Sequence, residues 1–407
     1  MRRATAGSAL LGARLLAFAL ALAAPVPAAG SMLAPITKGP YAQHVGDTSA
    51  VVHVEVDPPV PATLELGDAG APGKLESKQA VGFHSFRLTG LEPGRRYPYT
   101  VRAGGAVRQG AFTTAPKPGD GAELRFLVYG DNRSDDAAHA AVVRAMVPKK
   151  TDFLLHTGDF VEDGSDPSQW QTFFDTEAPL LADRAFFSCV GNHELTDRSG
   201  ALYLRYFGPF LEVDPDAGIK KPRLYGTFRW GTTRFFMLNA MDDWARSDEK
   251  AWLKGELEKA EKEEGLVWRI AVMHHSPWSS GPHGRNSRMH DAGVVQMLRD
   301  AKIDLFVGGH DHIYERGDAD GARYVVSGGG GAPTYEIKNR IMFSRKAESS
   351  RHFIEAHVTK ERVRLVATRL DGSTLDGCGF TKGQAGWDCD APAPDFDAGG
   401  KPVVGGG

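Results

Sequence analysis

At 407 residues the chain exceeds what one hydrophobic core usually supports, so two domains are expected, and its 42% hydrophobic and 24% charged content is that of a soluble globular protein. A formal net charge of −3 excludes the broad basic footprint of a nucleic-acid binder, and only three cysteines exclude a cysteine-rich zinc module.

The first stretch reads as an export signal. Met1-Arg2-Arg3 is followed by Leu10-Leu11, an interruption at Arg14, the apolar run Leu15 to Ala24, and the small-residue site Val26-Pro27-Ala28. A cleaved signal peptide over 1–28 follows, and with it a secreted or periplasmic location. The run is too short for a membrane anchor, which needs about 20 apolar residues, and no second segment qualifies.

Residues 31–118 read as all β, with Val52, Val54 and Val56 alternating against Val51, His53 and Glu55, and turns at Pro58-Pro59, Gly104-Gly105 and Pro116-Lys117-Pro118. Leu91-Glu92-Pro93-Gly94-Arg95-Arg96-Tyr97 resembles the fibronectin type III corner, in which a tyrosine hydroxyl ties back to the preceding turn. The resemblance implies a small sandwich, to which no chemistry is assigned.

From Ala122 the pattern changes to apolar strands alternating with helical stretches, so 122–372 is read as an α/β domain. Helices are predicted over Ala137 to Val147, behind Asp135-Asp136, over Ser247 to Glu264 with Ser247 as cap, and over Asp291 to Lys302. The proline-rich Pro209 to Pro222 reads as a surface excursion. Tyr225 to Trp230 with Thr233 to Asn239, and Tyr324 to Ser327 with Phe353 to Thr368, read as strands of a second sheet. Residues 373–407 read as a loosely ordered Gly/Pro/Asp tail in which Cys378 and Cys389 form a disulfide, while Cys189 lies inside an apolar strand as a buried thiol.

Five apolar runs end alike. Leu124 to Tyr129 leads into Gly130-Asp131, Asp152 to Thr157 into Gly158-Asp159, and Ala185 to Val190 into Gly191-Asn192-His193-Glu194. Trp268 to Met273 delivers His274-His275, and Ile303 to Val307 delivers Gly308-Gly309-His310-Asp311-His312. Ligands of an open α/β sheet bind beyond the strands' carboxyl ends, so these groups are expected to meet at one sheet edge. Carboxylate, amide and imidazole donors without thiolate suit Fe, Zn, Mn or Co.

This ordered set, closed by His312-Ile313-Tyr314-Glu315-Arg316, resembles the calcineurin-like metallophosphoesterases, and within them the purple acid phosphatase branch. The resemblance implies a two-sheet α/β/β/α sandwich behind the β-domain, and two metal ions about 4 Å apart that activate water to attack phosphorus. By the same resemblance Asp159 bridges the metals; Asn192, His274 and His310 complete one; Asp131 and His312 hold the other; and His193 protonates the leaving group. His275 is the alternative to His274. His283, in Pro282-His283-Gly284-Arg285, is read as reaching the substrate phosphate; Glu194 and Arg316 are read as supports.

Two positions depart from the pattern. Asp131-Asn132-Arg133 puts a guanidinium where the wider superfamily has a histidine, and Glu162 stands where purple acid phosphatases have a tyrosine ligand, so their colour is not expected. Glu162 is read as a weak or water-mediated ligand and Arg133 as a fork for phosphoryl oxygens, with a one-metal enzyme as the alternative to the pair. The leading reading is a secreted phosphate-monoester hydrolase. A nucleotide or phospholipid phosphodiesterase, or a non-catalytic metal- or phosphate-binding protein, remains the alternative.

Overall fold

The computed structural model describes residues 35–67, 73–208 and 223–389, with short strand pairs at 213–214/218–219 and 395–396/402–403. The expected leader at 1–28, and all but four residues of the expected excursion at 209–222, lie outside them.

Five strands come first: β1 (Ile36–Gln43), β2 (Ser49–Leu66), β3 (Lys74–Thr89), β4 (Arg96–Ala103) and β5 (Ala106–Thr113). Next are β6 (Leu124–Tyr129), α1 (Asp136–Met146), β7 (Phe153–His156), α2 (Pro167–Leu181), β8 (Ala185–Ser188), α3 (Ala201–Phe207) and the short pair β9 (Val213–Asp214) and β10 (Gly218–Ile219). The second half carries β11 (Gly226–Trp230), β12 (Thr233–Leu238), α4 (Asp248–Glu261), β13 (Trp268–His275), α5 (Ser287–Asp291), α6 (Val294–Asp300) and β14 (Leu305–Gly309). It ends with β15 (Tyr314–Ala319), β16 (Ala322–Ser327), β17 (Ser344–Glu348), β18 (His352–Val358), β19 (Arg362–Arg369), β20 (Thr374–Thr381) and β21 (Asp388–Cys389).

Strand alternation builds the layers. On β6, Phe126 and Val128 face a core shared with Phe235, Ile270 and Val307 of the other sheet, while Leu127 and Tyr129 face Val142, Val143, Trp170 and Phe173 of α1 and α2. Phe187 and Phe228 stack at 3.8 Å across the sheet interface. On the far side Phe236, Ala271 and Phe306 pack against Leu253, Leu257 and Leu298 of α4 and α6. Apolar residues on both faces of each central strand therefore require helices outside and a sheet inside, which is the α/β/β/α sandwich.

The first sheet runs β21-β20-β19-β18-β6-β7-β8-β1-β2-β4-β5, with β3 on β2, and the second β11-β12-β13-β14-β16-β15-β17. Strand β1 joins the amino-terminal β-region to the α/β part through a parallel pairing of Ala42 with Ala185. In that region the Glu92 backbone N–H donates to the Tyr97 hydroxyl at 2.7 Å, the tie that the corner motif needs. No helix among the described residues is long and apolar enough to cross a membrane.

Four sequence expectations are corrected. The hairpin at 353–368 belongs to the first sheet, because β18 pairs antiparallel with β6 from Ile354–Val128 to Val358–Leu124. The five apolar runs therefore divide, three into the first sheet and two into the second, and their ends meet across the sandwich and not along one sheet edge. Residues 374–381 are ordered as β20, with Leu375, Cys378 and Phe380 buried, and the Cys378–Cys389 disulfide ties β21 to it. The helix read over 291–302 is the shorter α6, Val294–Asp300, because Gly293 before it has a φ of +72° that no helix continues through.

Candidate metal centre

Each strand end sets a donor with little freedom. Asp131, Asp159 and His310 have left-handed φ of +58°, +58° and +71°, a conformation that costs a non-glycine residue energy and clusters at functional sites. The preceding glycines make room. A Cβ on Gly158 would lie 2.9 Å from His274 Nδ1, and one on Gly309 would lie 2.4 Å from Asp131 Oδ2.

Asp159, His274 and His310 each offer a donor atom within 4.8 Å of the others. His274 Nε2 lies 3.3 Å from Asp159 Oδ1, 3.1 Å from Asn192 Oδ1 and 3.0 Å from His310 Nδ1. Its Nδ1 lies 2.9 Å from the Thr157 carbonyl and donates to it, which fixes the ring and leaves Nε2 aimed inward. His312 is held in the same way, Nδ1 to the Pro333 carbonyl at 2.8 Å, with Nε2 3.7 Å from Asp131 Oδ1. Both Asp131 oxygens accept from the His310 backbone N–H at 3.0 Å.

The buried groups shift one another in opposite directions. Burial pushes Asp131 up to about 8, with Asp159 adding to the rise and His274 opposing it. Burial acts the same way on Asp159, but His274, His193 and Arg133 outweigh it and hold that carboxyl well below the usual range. Burial would lower His274, yet Asp159 and Asp131 hold it up at about 9. Burial and then the neighbouring His274 push His310 down. Oxygen and imidazole donors without thiolate fit a divalent cation, and Asp159, Asn192, His274 and His310 are the groups that would hold it.

Glu194 holds this loop system together. Fully buried, its carboxylate accepts from the backbone N–H groups of Asp159 (2.9 Å), Phe160 (2.8 Å) and Gly191 (2.8 Å). His193, on the 3₁₀ turn His193–Leu195, donates from Nδ1 to the Glu162 carbonyl at 2.6 Å, which leaves Nε2 3.9 Å from Asp159 Oδ2. The His283 ring lies 4.2 Å from that of His310. His275 has Nε2 3.2 Å from the Gly284 carbonyl and its ring 4.4 Å from that of His310. Arg316 pairs with Asp376 at 2.6 Å.

Arg133 reaches three groups at once. Its Nε lies 3.2 Å from Asp159 Oδ2, its Nη1 2.6 Å from Glu162 Oε2 and its Nη2 3.4 Å from His312 Nε2. Beyond it opens a cleft of about 550 Å³, lined by Arg133, His139, Glu162, Phe173, His312 and Tyr335. Tyr335 stacks on His312 at 4.1 Å and was not singled out from sequence, because no apolar run leads to it. The one local signal was the glycine run Gly328–Gly331, where a Cβ on Gly330 would meet the Gly130 carbonyl at 2.3 Å.

The family model of the calcineurin-like phosphoesterases matches residues 124–314. This stretch is a calcineurin-like phosphoesterase domain. Over 263 residues the chain is 25% identical to purple acid phosphatase 21 of Arabidopsis thaliana, an alignment covering 61% of this chain and 58% of that protein. It thus spans less than two thirds of that relative. In three dimensions the chain is similar to a purple acid phosphatase from yellow lupin (Lupinus luteus) seeds, with a TM-score of 0.69 and 18% identity over 84% of this chain and 73% of that one. It is similar as well to PhoD, with a TM-score of 0.70 and 14% identity over 92% and 95% of the two chains. At these identities the structural likenesses establish the fold alone. The Asp159-His274-His310 group lies inside the residues that the family model matches.

Proposed function

We propose that the protein is an exported, metal-dependent hydrolase of phosphate monoesters. The observation that carries this reading is the meeting of Asp159, Asn192, His274 and His310, from four separate chain segments, beside His193 and with Arg133, which contacts Asp159, also lining a cleft. A metal bound there would supply Lewis-acid charge and a water of lowered pKa.

The side chains divide the remaining work. Arg133, always charged and planar, suits two phosphoryl oxygens at once. His193, anchored through Nδ1, has Nε2 free to give a proton to the departing alcohol oxygen. His283, beside His310, is in reach of the same phosphate. Export rests on the basic and apolar character of residues 1–28.

The test is a panel of phosphate monoesters and diesters with added Mn, Zn, Fe or Co, run alongside His193→Ala. Metal-dependent turnover favouring monoesters is expected, with kcat of the variant lower by about 10²- to 10⁴-fold. Turnover by the variant equal to wild type would remove the acid role. Preference for diesters would move the substrate class, and no hydrolysis with any metal would overturn the reading.

A further inference from the structure

We infer that the Arg133 guanidinium stands where a second metal ion would bind, so that the centre takes one divalent cation per chain. This rests on the reading that Asp159, Asn192, His274 and His310 hold a metal. The donors left over for a second ion are Asp159 Oδ2, Asp131, His312 Nε2 and Glu162, and the guanidinium already contacts three of the four, at 3.2 Å, 3.4 Å and 2.6 Å.

Asp159 divides its two oxygens accordingly. Oδ1 faces His274 at 3.3 Å and the His193 N–H at 3.1 Å, while Oδ2 faces Arg133. The carboxylate thus bridges a metal side and a guanidinium side. The Arg133 side chain is only 13% exposed, and its Glu162 partner is bonded to the Ser134 hydroxyl through the same oxygen, so the arginine is seated and not trailing in solvent. An ion ligated by Asp159 Oδ2 and His312 Nε2 would need both within about 2.2 Å, and the cationic guanidinium, whose nitrogens lie 3.2 Å and 3.4 Å from those same two atoms, stands against its approach. Arginine cannot yield by losing its proton, as its charge persists at all working pH.

One arrangement therefore joins a removable cation to a permanent one across Asp159, and a phosphate would be gripped between them. Inorganic phosphate serves as the probe.

Metal content of the purified full chain, measured after saturation with Mn and gel filtration, is expected to be one equivalent in wild type. Arg133→His, which vacates the position and adds an imidazole, should take a second equivalent. The Mn resonance should change from that of an isolated ion to that of an exchange-coupled pair. Arg133→Lys should stay at one equivalent and bind inorganic phosphate at least tenfold more weakly, since a point charge replaces the fork. Two equivalents in wild type, or one equivalent in Arg133→His that retains the wild-type circular dichroism, overturns the inference. Should Arg133→His misfold, the wild-type stoichiometry and resonance decide alone. Two equivalents with phosphate-ester turnover sinks this inference and leaves the proposed function standing, whereas no metal and no turnover sinks both.

Discussion

Removing the Glu194 carboxylate is expected to destabilise the whole centre. In Glu194→Ala three buried N–H groups, of Asp159, Phe160 and Gly191, lose the acceptor that now lies within 2.9 Å of each. A buried donor left unmatched costs about 1–3 kcal/mol, so the sum is about 3–9 kcal/mol. Part returns, because burial and then the Asp159 charge press Glu194 up to about 7, and that unfavourable pairing disappears with it. The net expectation is a loss of about 4 kcal/mol. At an unfolding entropy of about 2.1 cal/mol/K per residue, this lowers Tm of a chain this long by about 5 °C. Thermal melting of the chelated protein reads it, with Glu194→Gln falling between, since an amide oxygen keeps the acceptor on one side only. With metal present, affinity should drop by about 10- to 100-fold, as for other groups that orient ligands. A melting point within about 1 °C of wild type would refute the clamp.

Acid should weaken the fold through buried imidazoles. His352, fully buried between Ser327 and the Ser350 carbonyl, is pushed down by burial from 6.5 to about 4. Its lowered value means that the unfolded chain takes up a proton first, so its stabilisation is complete above about pH 6.5 and is lost as pH falls towards 4. Between pH 7 and pH 5 chemical denaturation of His352→Gln should lose about 2 kcal/mol less than wild type, and parallel losses would remove this role. The Cys378–Cys389 disulfide closes a loop of sequence separation 11, so Cys389→Ser should cost about 3 kcal/mol in the same assay. Thiol labelling of the unfolded, unreduced protein should find Cys189 alone, and labelling of Cys378 or Cys389 would exclude the bond.

Much of this molecule was readable one segment at a time. The caps Asp135 and Ser247 accept from Ala138 and Glu249 as their positions demanded, because a cap is a contact across two or three residues. Asp166-Pro167 opens α2 by the same rule, with Asp166 accepting from the Ser168 N–H. The Gly-Asp and Gly-Asn endings marked donors, since only a glycine beside a tight turn leaves space for a neighbouring loop's carboxylate.

What the chain could not disclose locally was which partners those segments take. Period-two alternation says which face of a strand is apolar, yet it carries no label for the sheet, so the 353–368 hairpin was assigned to the wrong one. Arg133 was legible as a departure from the family pattern, but its seat depends on Asp159, Glu162 and His312, which lie 26, 29 and 179 residues away. Residue order therefore determined the chemistry of the donors and the turns that expose them. Only tertiary packing decided that a guanidinium, fixed by loops from both sheets, shares Asp159 with His274, because a contact between distant segments arises from the closing of the sandwich and leaves no trace in local spacing.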